Sequence, residues 1–251
     1  MHNIFTQNRS AHSQIAQQLS IKAQALISEF LDYGLVEEAK ELQQIDRQLI
    51  FLLQNKRGFD FVGEIAEGKT LLVGEGKFSF SYSLTKKQRI NPKNLVTTTF
   101  EKENELSDEA INNIEKLKAA DVLILYKVDA MNLSKTFGSM AFDSIVFQFP
   151  HAGSREPVQG RNPNYILVRN FLKSAKHHLK RGGKIFISAV NNPHYHGAFQ
   201  FEEAAEKAGF QPPVMYSFNP SDFPGYTHTM TNDDESAIDD HKKFGTWVFR
   251  L

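Results

Sequence analysis

Cysteine is absent from the 251 residues, which removes disulfides, thiolate nucleophiles and cysteine-based zinc sites from consideration. An excess of charge of either sign is absent too, since Lys plus Arg and Asp plus Glu number 29 each. No long-range basic field draws in nucleic acid, so phosphate contact has to come from a local patch. No apolar run is long enough to span a bilayer, and His2 to Gln24 lacks the apolar centre of a secretory leader. The expectation is a soluble, cytoplasmic protein. Repeats and low-complexity tracts are also missing. Tryptophan occurs once, whereas phenylalanine is over-used at 21 residues.

What is present divides the chain in two. From Ser13 to about Asn55, Ile15, Leu19, Ala23, Leu26, Ile27 and Phe30 recur at helical steps. Tyr33-Gly34 breaks that stripe, and Leu35, Ala39, Leu42, Ile45, Leu49 and Leu52 make a second one. The spacing predicts a helical hairpin over 1–60, packing on the following domain or pairing with a second copy as a homodimer. Residues 59–69 read as a connector with a short strand near Phe61-Val62. Over 61–251, strands alternate with helices. Apolar or β-branched runs at 71–73, 95–100, 122–128, 142–149, 185–190 and 245–251 are separated by helical patterns. Alternation of this kind predicts an α/β fold, a doubly wound and mostly parallel Rossmann-like sheet with ligands at the carboxyl ends of its strands. The section 211–244, with Pro212-Pro213 and Phe223-Pro224-Gly225-Tyr226, reads as a lid or insertion.

The stretch Leu71-Leu72-Val73-Gly74-Glu75-Gly76-Lys77-Phe78-Ser79 is the centre of this organisation. A buried strand is cut off by two glycines, and a helix follows. Gly74 allows the tight turn, and Gly76 lets a ligand approach bare backbone. A dinucleotide fingerprint wants a small residue three positions on. Here that place is Ser79, flanked by Phe78 and Phe80, and bulky rings beside the turn disfavour a pyrophosphate. They suit a phosphate-free ligand such as S-adenosylmethionine. The Lys-Ser/Thr of a phosphate loop does not occur after these glycines.

Polar residues follow the successive strands. Glu101 stands after the second, where an acid binds ribose hydroxyls. Asp129 stands after the third, where a carboxylate can accept from an adenine amino group. Gln148-Phe149-Pro150-His151 closes the fourth, where chemistry on a second substrate belongs. A metal centre through His151, His194, His196 and His228 is not completed by acids at useful spacing, so no metal is expected.

Four blocks in this order resemble one family: Gly-Glu-Gly-Lys-Phe-Ser-Phe-Ser (74–81), Val-Asp-Ala-x-x-Leu (128–133), Phe-Asp-Ser-Ile-Val-Phe-Gln-Phe-Pro-His (142–151) and Phe-Pro-Gly-Tyr-x-His (223–228). They are similar to the Rossmann-like domain of the large-subunit ribosomal RNA (uridine-N3-) methyltransferases, over about 69–251. The resemblance implies a class I enzyme that uses S-adenosylmethionine to methylate a uridine-type base in RNA. It implies that Gly74, Glu75, Gly76, Phe78, Ser79, Glu101, Asp129 and Gln148 hold the cofactor. On that reading His151 takes the proton from uracil N3, with His228 as a second candidate and Gln148 bonding the planar ring or the cofactor. Phe149, Pro150 and Tyr226, with Phe78, then line the place of the target base.

The chain departs from the family where Lys77 replaces a usual Asn and Gln148 replaces the Asn before Phe-Pro-His. It also turns acidic at Asp233 to Glu235. Lys86, Lys87, Arg89, Lys93, Lys173, Lys176, Lys180 and Arg181 are available as a phosphate strip. A small-molecule acceptor, and a cofactor-binding interaction module without catalysis, stay open as alternatives.

Overall fold

A computed structural model describes residues 19, 21–55, 59–154, 156–227 and 243–251. The chain divides into the units Met1–Phe59 and Asp60–Leu251. In the first, helix α1 (21–32) is followed by α2 (Val36–Asn55). The expected break is at Gly34, whose φ is +75°. Leu35 N–H bonds Phe30 O at 2.8 Å and Gly34 N–H bonds Leu31 O at 3.0 Å, the paired bonds of a Schellman ending. The expected helical residues 13–18 and 20 lie outside the described residues.

The second unit opens with α3 (Phe61–Ala66), where the sequence suggested a strand. Asp60 decides the matter: its Oδ1 accepts Gly63 N–H at 2.8 Å and caps the turn, while Phe61 and Ile65 are buried. Strand β1 (Thr70–Val73) leads to α4 (Ser79–Thr85), β2 (Leu95–Thr98), α5 (Asp108–Ala119), β3 (Leu123–Leu125) and α6 (Ser134–Phe137). Then come β4 (Phe142–Gln148), α7 (Pro163–Lys176), β5 (Leu179–Val190), α8 (Pro193–Phe199), α9 (Phe201–Ala208), β6 (Val214–Phe218) and β7 (Phe244–Phe249).

The seven strands form one sheet in the order β3-β2-β1-β4-β5-β7-β6. The first five are parallel, and β7 lies antiparallel between β5 and β6. This is a Rossmann-like sheet. Its order reverses between β1 and β4, the switch point at which such sheets bind ligands. One expectation about this region is corrected: Val214–Phe218, inside the section read as a lid, is edge strand β6. His194 and His196 lie on helix α8.

Both faces of the sheet are covered, as the fully buried β1 requires. Leu71, Ile145 and Ile187 join one apolar cluster with Val168 and Phe171 of α7 and Ala204 of α9. Across the sheet the Phe61 ring lies 5.6 Å from Phe186 and 6.0 Å from Phe80. Among the described residues no helix is long and apolar enough to cross a membrane.

Candidate cofactor and acceptor site

The switch point is built from the turn after β1. Gly74 has φ +71°, and a Cβ there would stand 2.6 Å from Phe147 Cε2. Phe147 is the register partner of Val73, so the parallel pairing of β1 with β4 is what forces glycine at 74. Gly76 differs, because a Cβ added to it meets nothing within 4 Å among the described residues. Its face is open for a ligand.

Between them Glu75 turns inward and is 7% exposed. Its N–H bonds Thr98 O at 2.8 Å, and its Oε2 accepts Ser81 N–H at 3.1 Å. The carboxylate therefore caps α4, whose N-cap residue Phe78 supplies no side-chain bond. Burial pushes this carboxyl up to about 7, against the lowering effect of the Ser81 bonds.

Two expected contacts change accordingly. The Phe78 ring is wholly buried, so it is core rather than a stacking surface for a base. Ser79 Oγ donates to Thr227 O at 2.8 Å and accepts Thr227 N–H at 3.1 Å. A hydroxyl has one proton, and Ser79 has committed it to Thr227 rather than to a cofactor.

The ends of β2 and β3 carry the two outer acids. Glu101 is exposed, and Thr99 Oγ1 donates to its Oε2 at 3.4 Å. Partial burial raises its carboxyl above the ordinary value, with the Thr99 bond opposing and the Glu105 charge adding. Asp129 uses Oδ1 to accept Met131 N–H at 2.8 Å and so caps the turn Ala130–Asn132.

At the end of β4, Gln148 is 9% exposed, and neither Oε1 nor Nε2 has a hydrogen-bond partner among the described residues. A buried amide left unpaired costs free energy unless a ligand satisfies it. Phe149 follows with φ +48°, its ring 5.9 Å from Phe218 and 5.7 Å from Phe244. Of the six left-handed non-glycine residues among those described, three, Phe78, Lys127 and Phe149, follow the carboxyl ends of parallel strands, and Asp121, Gln159 and Gln200 lie elsewhere. Strain of this kind concentrates at functional sites.

Pro150 is buried, and His151 is exposed with Nδ1 accepting Gly153 N–H at 3.0 Å. In the neutral ring the proton is then on Nε2. Tyr226 packs its ring 5.2 Å from Phe80; burial and the nearby Glu75 hold its phenol well above the usual range. His228 lies outside the described residues.

Three of the eight residues of the basic strip are ion-paired. Arg89 is paired with Asp60, Lys93 with Asp121 at 3.4 Å and Lys180 with Asp143 at 2.7 Å, while Lys87 bonds the backbone carbonyl Asp222 O. Sequence reasoning did not single out Phe100, which is 72% exposed directly before Glu101. As the last β-branched-run residue it read as buried strand, and β2 in fact stops at Thr98. It also did not single out Glu109 or Thr227, which meet across 118 residues.

A family model described as BMT5-like, rRNA (uridine-N3-)-methyltransferase, matches residues 71–230. An uncharacterised protein of Arabidopsis thaliana is 38% identical over 130 residues, covering 48% of this chain and 62% of that protein. Heavy metal-associated isoprenylated plant protein 41 of Arabidopsis thaliana is 29% identical over 174 residues, or 62% of this chain and 32% of that one. The 25S rRNA (uridine(2634)-N(3))-methyltransferase of Saccharomyces cerevisiae is 25% identical over 226 residues, 66% of this chain and 67% of that enzyme. The chain thus spans less than two thirds of the first two relatives.

Proposed function

Since the chain belongs to the BMT5-like rRNA (uridine-N3-)-methyltransferase family, we propose that it transfers a methyl group from S-adenosylmethionine to N3 of a uridine in ribosomal RNA. The observation that carries this reading is Gln148, a buried amide at the switch point whose two polar atoms have no partner among the described residues, beside a glycine turn whose second glycine, given a Cβ, would meet none of them within 4 Å. Such a pair fits a ligand that brings its own donors and acceptors to the end of β4. When bound, the cofactor supplies an electrophilic methyl group on a sulfonium.

The chain's own residues do the rest. Gly76 admits the amino-acid end, Glu101 accepts from ribose hydroxyls, and Asp129 accepts from the adenine amino group. Gln148 satisfies either that ligand or the imide edge of the base. Catalysis is chiefly positioning, because the acceptor nitrogen must meet the methyl group in line. The imide proton must also leave. His151 as placed presents N–H rather than a lone pair, and acting as base would first break its bond to Gly153. We therefore assign it to donate to the imide oxygen, where negative charge develops as N3 loses its proton.

Binding tests the reading first. S-adenosylmethionine and S-adenosylhomocysteine should raise the melting temperature, and NADH should not. Transfer of labelled methyl to a large-subunit rRNA transcript, mapped to uridine N3, tests the rest. Absence of any shift with either sulfur ligand would sink the proposal.

A small-molecule acceptor is favoured by the ion-paired basic residues. Salt separates the two: RNA binding must weaken steeply between low and high salt, and small-molecule binding must not. A homodimer through the N-terminal helices is carried by exposed Leu26, Leu31 and Ile45, and sedimentation decides it. Action where ribosomes are made or used follows from the proposed substrate.

A further inference from the structure

The segment that carries Tyr226 is stitched to the glycine turn by residues the proposed reaction leaves unused. Thr227 is held at three atoms. Its carbonyl and its N–H both bond Ser79 Oγ, at 2.8 Å and 3.1 Å, and its Oγ1 donates to Glu109 Oε1 at 2.8 Å. Glu109 in turn pairs through Oε2 with Lys77 Nζ at 2.9 Å, and Asn113 Nδ2 donates to Lys77 O at 2.9 Å. Lys77 is a glycine-turn residue, and Ser79 is the first residue of α4. Beneath them the Phe80 ring lies 4.9 Å from Phe223 and 5.2 Å from Tyr226. Ser79 is 3% exposed, so its hydroxyl needs a protein partner, and Thr227 is that partner.

We propose that Ser79 and Glu109 are positioning residues that latch the segment 223–227 onto the glycine turn, so that cofactor occupancy and the ordering of that segment are one event. The inference rests on the cofactor reading above and adds the coupling. Each bond of the latch is exchanged for one with water when the segment lifts, so the latch fixes geometry at modest net energy. A ligand that rigidifies residues 74–79 then rigidifies Thr227 through the shared hydroxyl. By linkage, an acceptor that orders the segment must tighten cofactor binding by the same factor.

Amide hydrogen exchange on the full chain tests this, with S-adenosylhomocysteine as the probe. In the wild type, the probe should slow exchange at both 74–81 and 225–227. Ser79→Ala should speed exchange at 225–227 about tenfold without ligand and abolish its response to the probe. Protection at 74–81 and probe affinity should stay within about threefold of wild type, and Ser79→Thr should restore the coupling. Unchanged exchange at 225–227 in Ser79→Ala overturns the latch. A tenfold loss of probe affinity with unaltered exchange there makes Ser79 a cofactor ligand and also overturns it.

If the wild type binds no probe, the cofactor reading fails, while the ligand-free comparison still judges the latch. Should Ser79→Ala not fold, Thr227→Val removes the Glu109 bond from the exposed side. It must speed exchange at 225–227 at least threefold, and no change there overturns the role of Glu109.

Discussion

Glu75 accepts the backbone N–H of Ser81 at 3.1 Å and thereby caps a helix whose own N-cap residue, Phe78, has no hydrogen-bonding group in its side chain. The bond gives the middle residue of the glycine turn a folding role, and burial gives that role a pH dependence. Its carboxyl is pushed up to about 7 from an ordinary 4.5. Below the lower value both folded and unfolded chains hold the proton. Between the two, the unfolded chain has released it and the folded chain has not, so stability falls as pH rises through this window and levels above it.

The full loss from this one group is on the order of 3 kcal/mol. Glu75→Gln keeps an acceptor for Ser81 and removes the titration. Urea denaturation at about pH 5 and about pH 8 should show the variant gaining on wild type by roughly that amount at the higher pH. A gap independent of pH would mean that Glu75 is charged throughout.

The two glycines of the turn should separate stability from binding. Gly74→Ala forces a side chain into a left-handed position 2.6 Å from the Phe147 ring. It should cost about 2–4 kcal/mol of stability. Gly76→Ala places its Cβ in open space, so stability should change by less than about 0.5 kcal/mol. Affinity for S-adenosylhomocysteine should nonetheless drop at least about tenfold, because the methyl occupies the approach to the backbone. Calorimetry on both variants checks the pair, and an affinity left intact in Gly76→Ala removes that residue from the site.

The parallel half of the sheet was legible because its strands carry short apolar or β-branched runs, some of them stopped by glycine or proline. Leu71 to Val73 before Gly74 and Phe142 to Phe149 before Pro150 are examples. Strand β6 was not legible. Val214 to Phe218 sits between Pro212-Pro213 and Pro220, which read as loop, and its place is set by antiparallel pairing with β7 across the sequence. Within the site, the strand-end positions of Glu101, Asp129 and Gln148 could be read from the order of elements. The inward turn of Glu75 and the grip of Ser79 on Thr227 could not, since their partners are fixed only by the finished fold.

Gln148 should show a trade between stability and function. Both of its amide atoms are buried without partners among the described residues, a desolvation cost that a bound ligand would offset. Gln148→Met keeps the length and removes the polar atoms. Stability should rise by about 1 kcal/mol, while methyl transfer falls at least about tenfold. Chemical denaturation and single-turnover transfer are the two readouts. A destabilised variant with transfer intact would place the amide in the core's own bonding and outside the site.

His151 offers a choice between base and donor that two substitutions resolve. Its Nδ1 accepts Gly153 N–H at 3.0 Å, which leaves the neutral ring its proton on Nε2. A base must present a lone pair to the imide proton, and its removal erases the acidic limb of the pH–rate profile. A donor needs only an N–H near the place of Nε2, and the Gln amide provides one. His151→Ala should therefore lower the transfer rate about a hundredfold, whereas His151→Gln should stay within about tenfold of wild type, both with unchanged S-adenosylhomocysteine affinity. The Gln variant cannot accept a proton near neutral pH, so its activity would show that the imide proton leaves by another route. Equal loss in both variants, together with loss of the acidic limb from the pH–rate profile, would return His151 to the role of base.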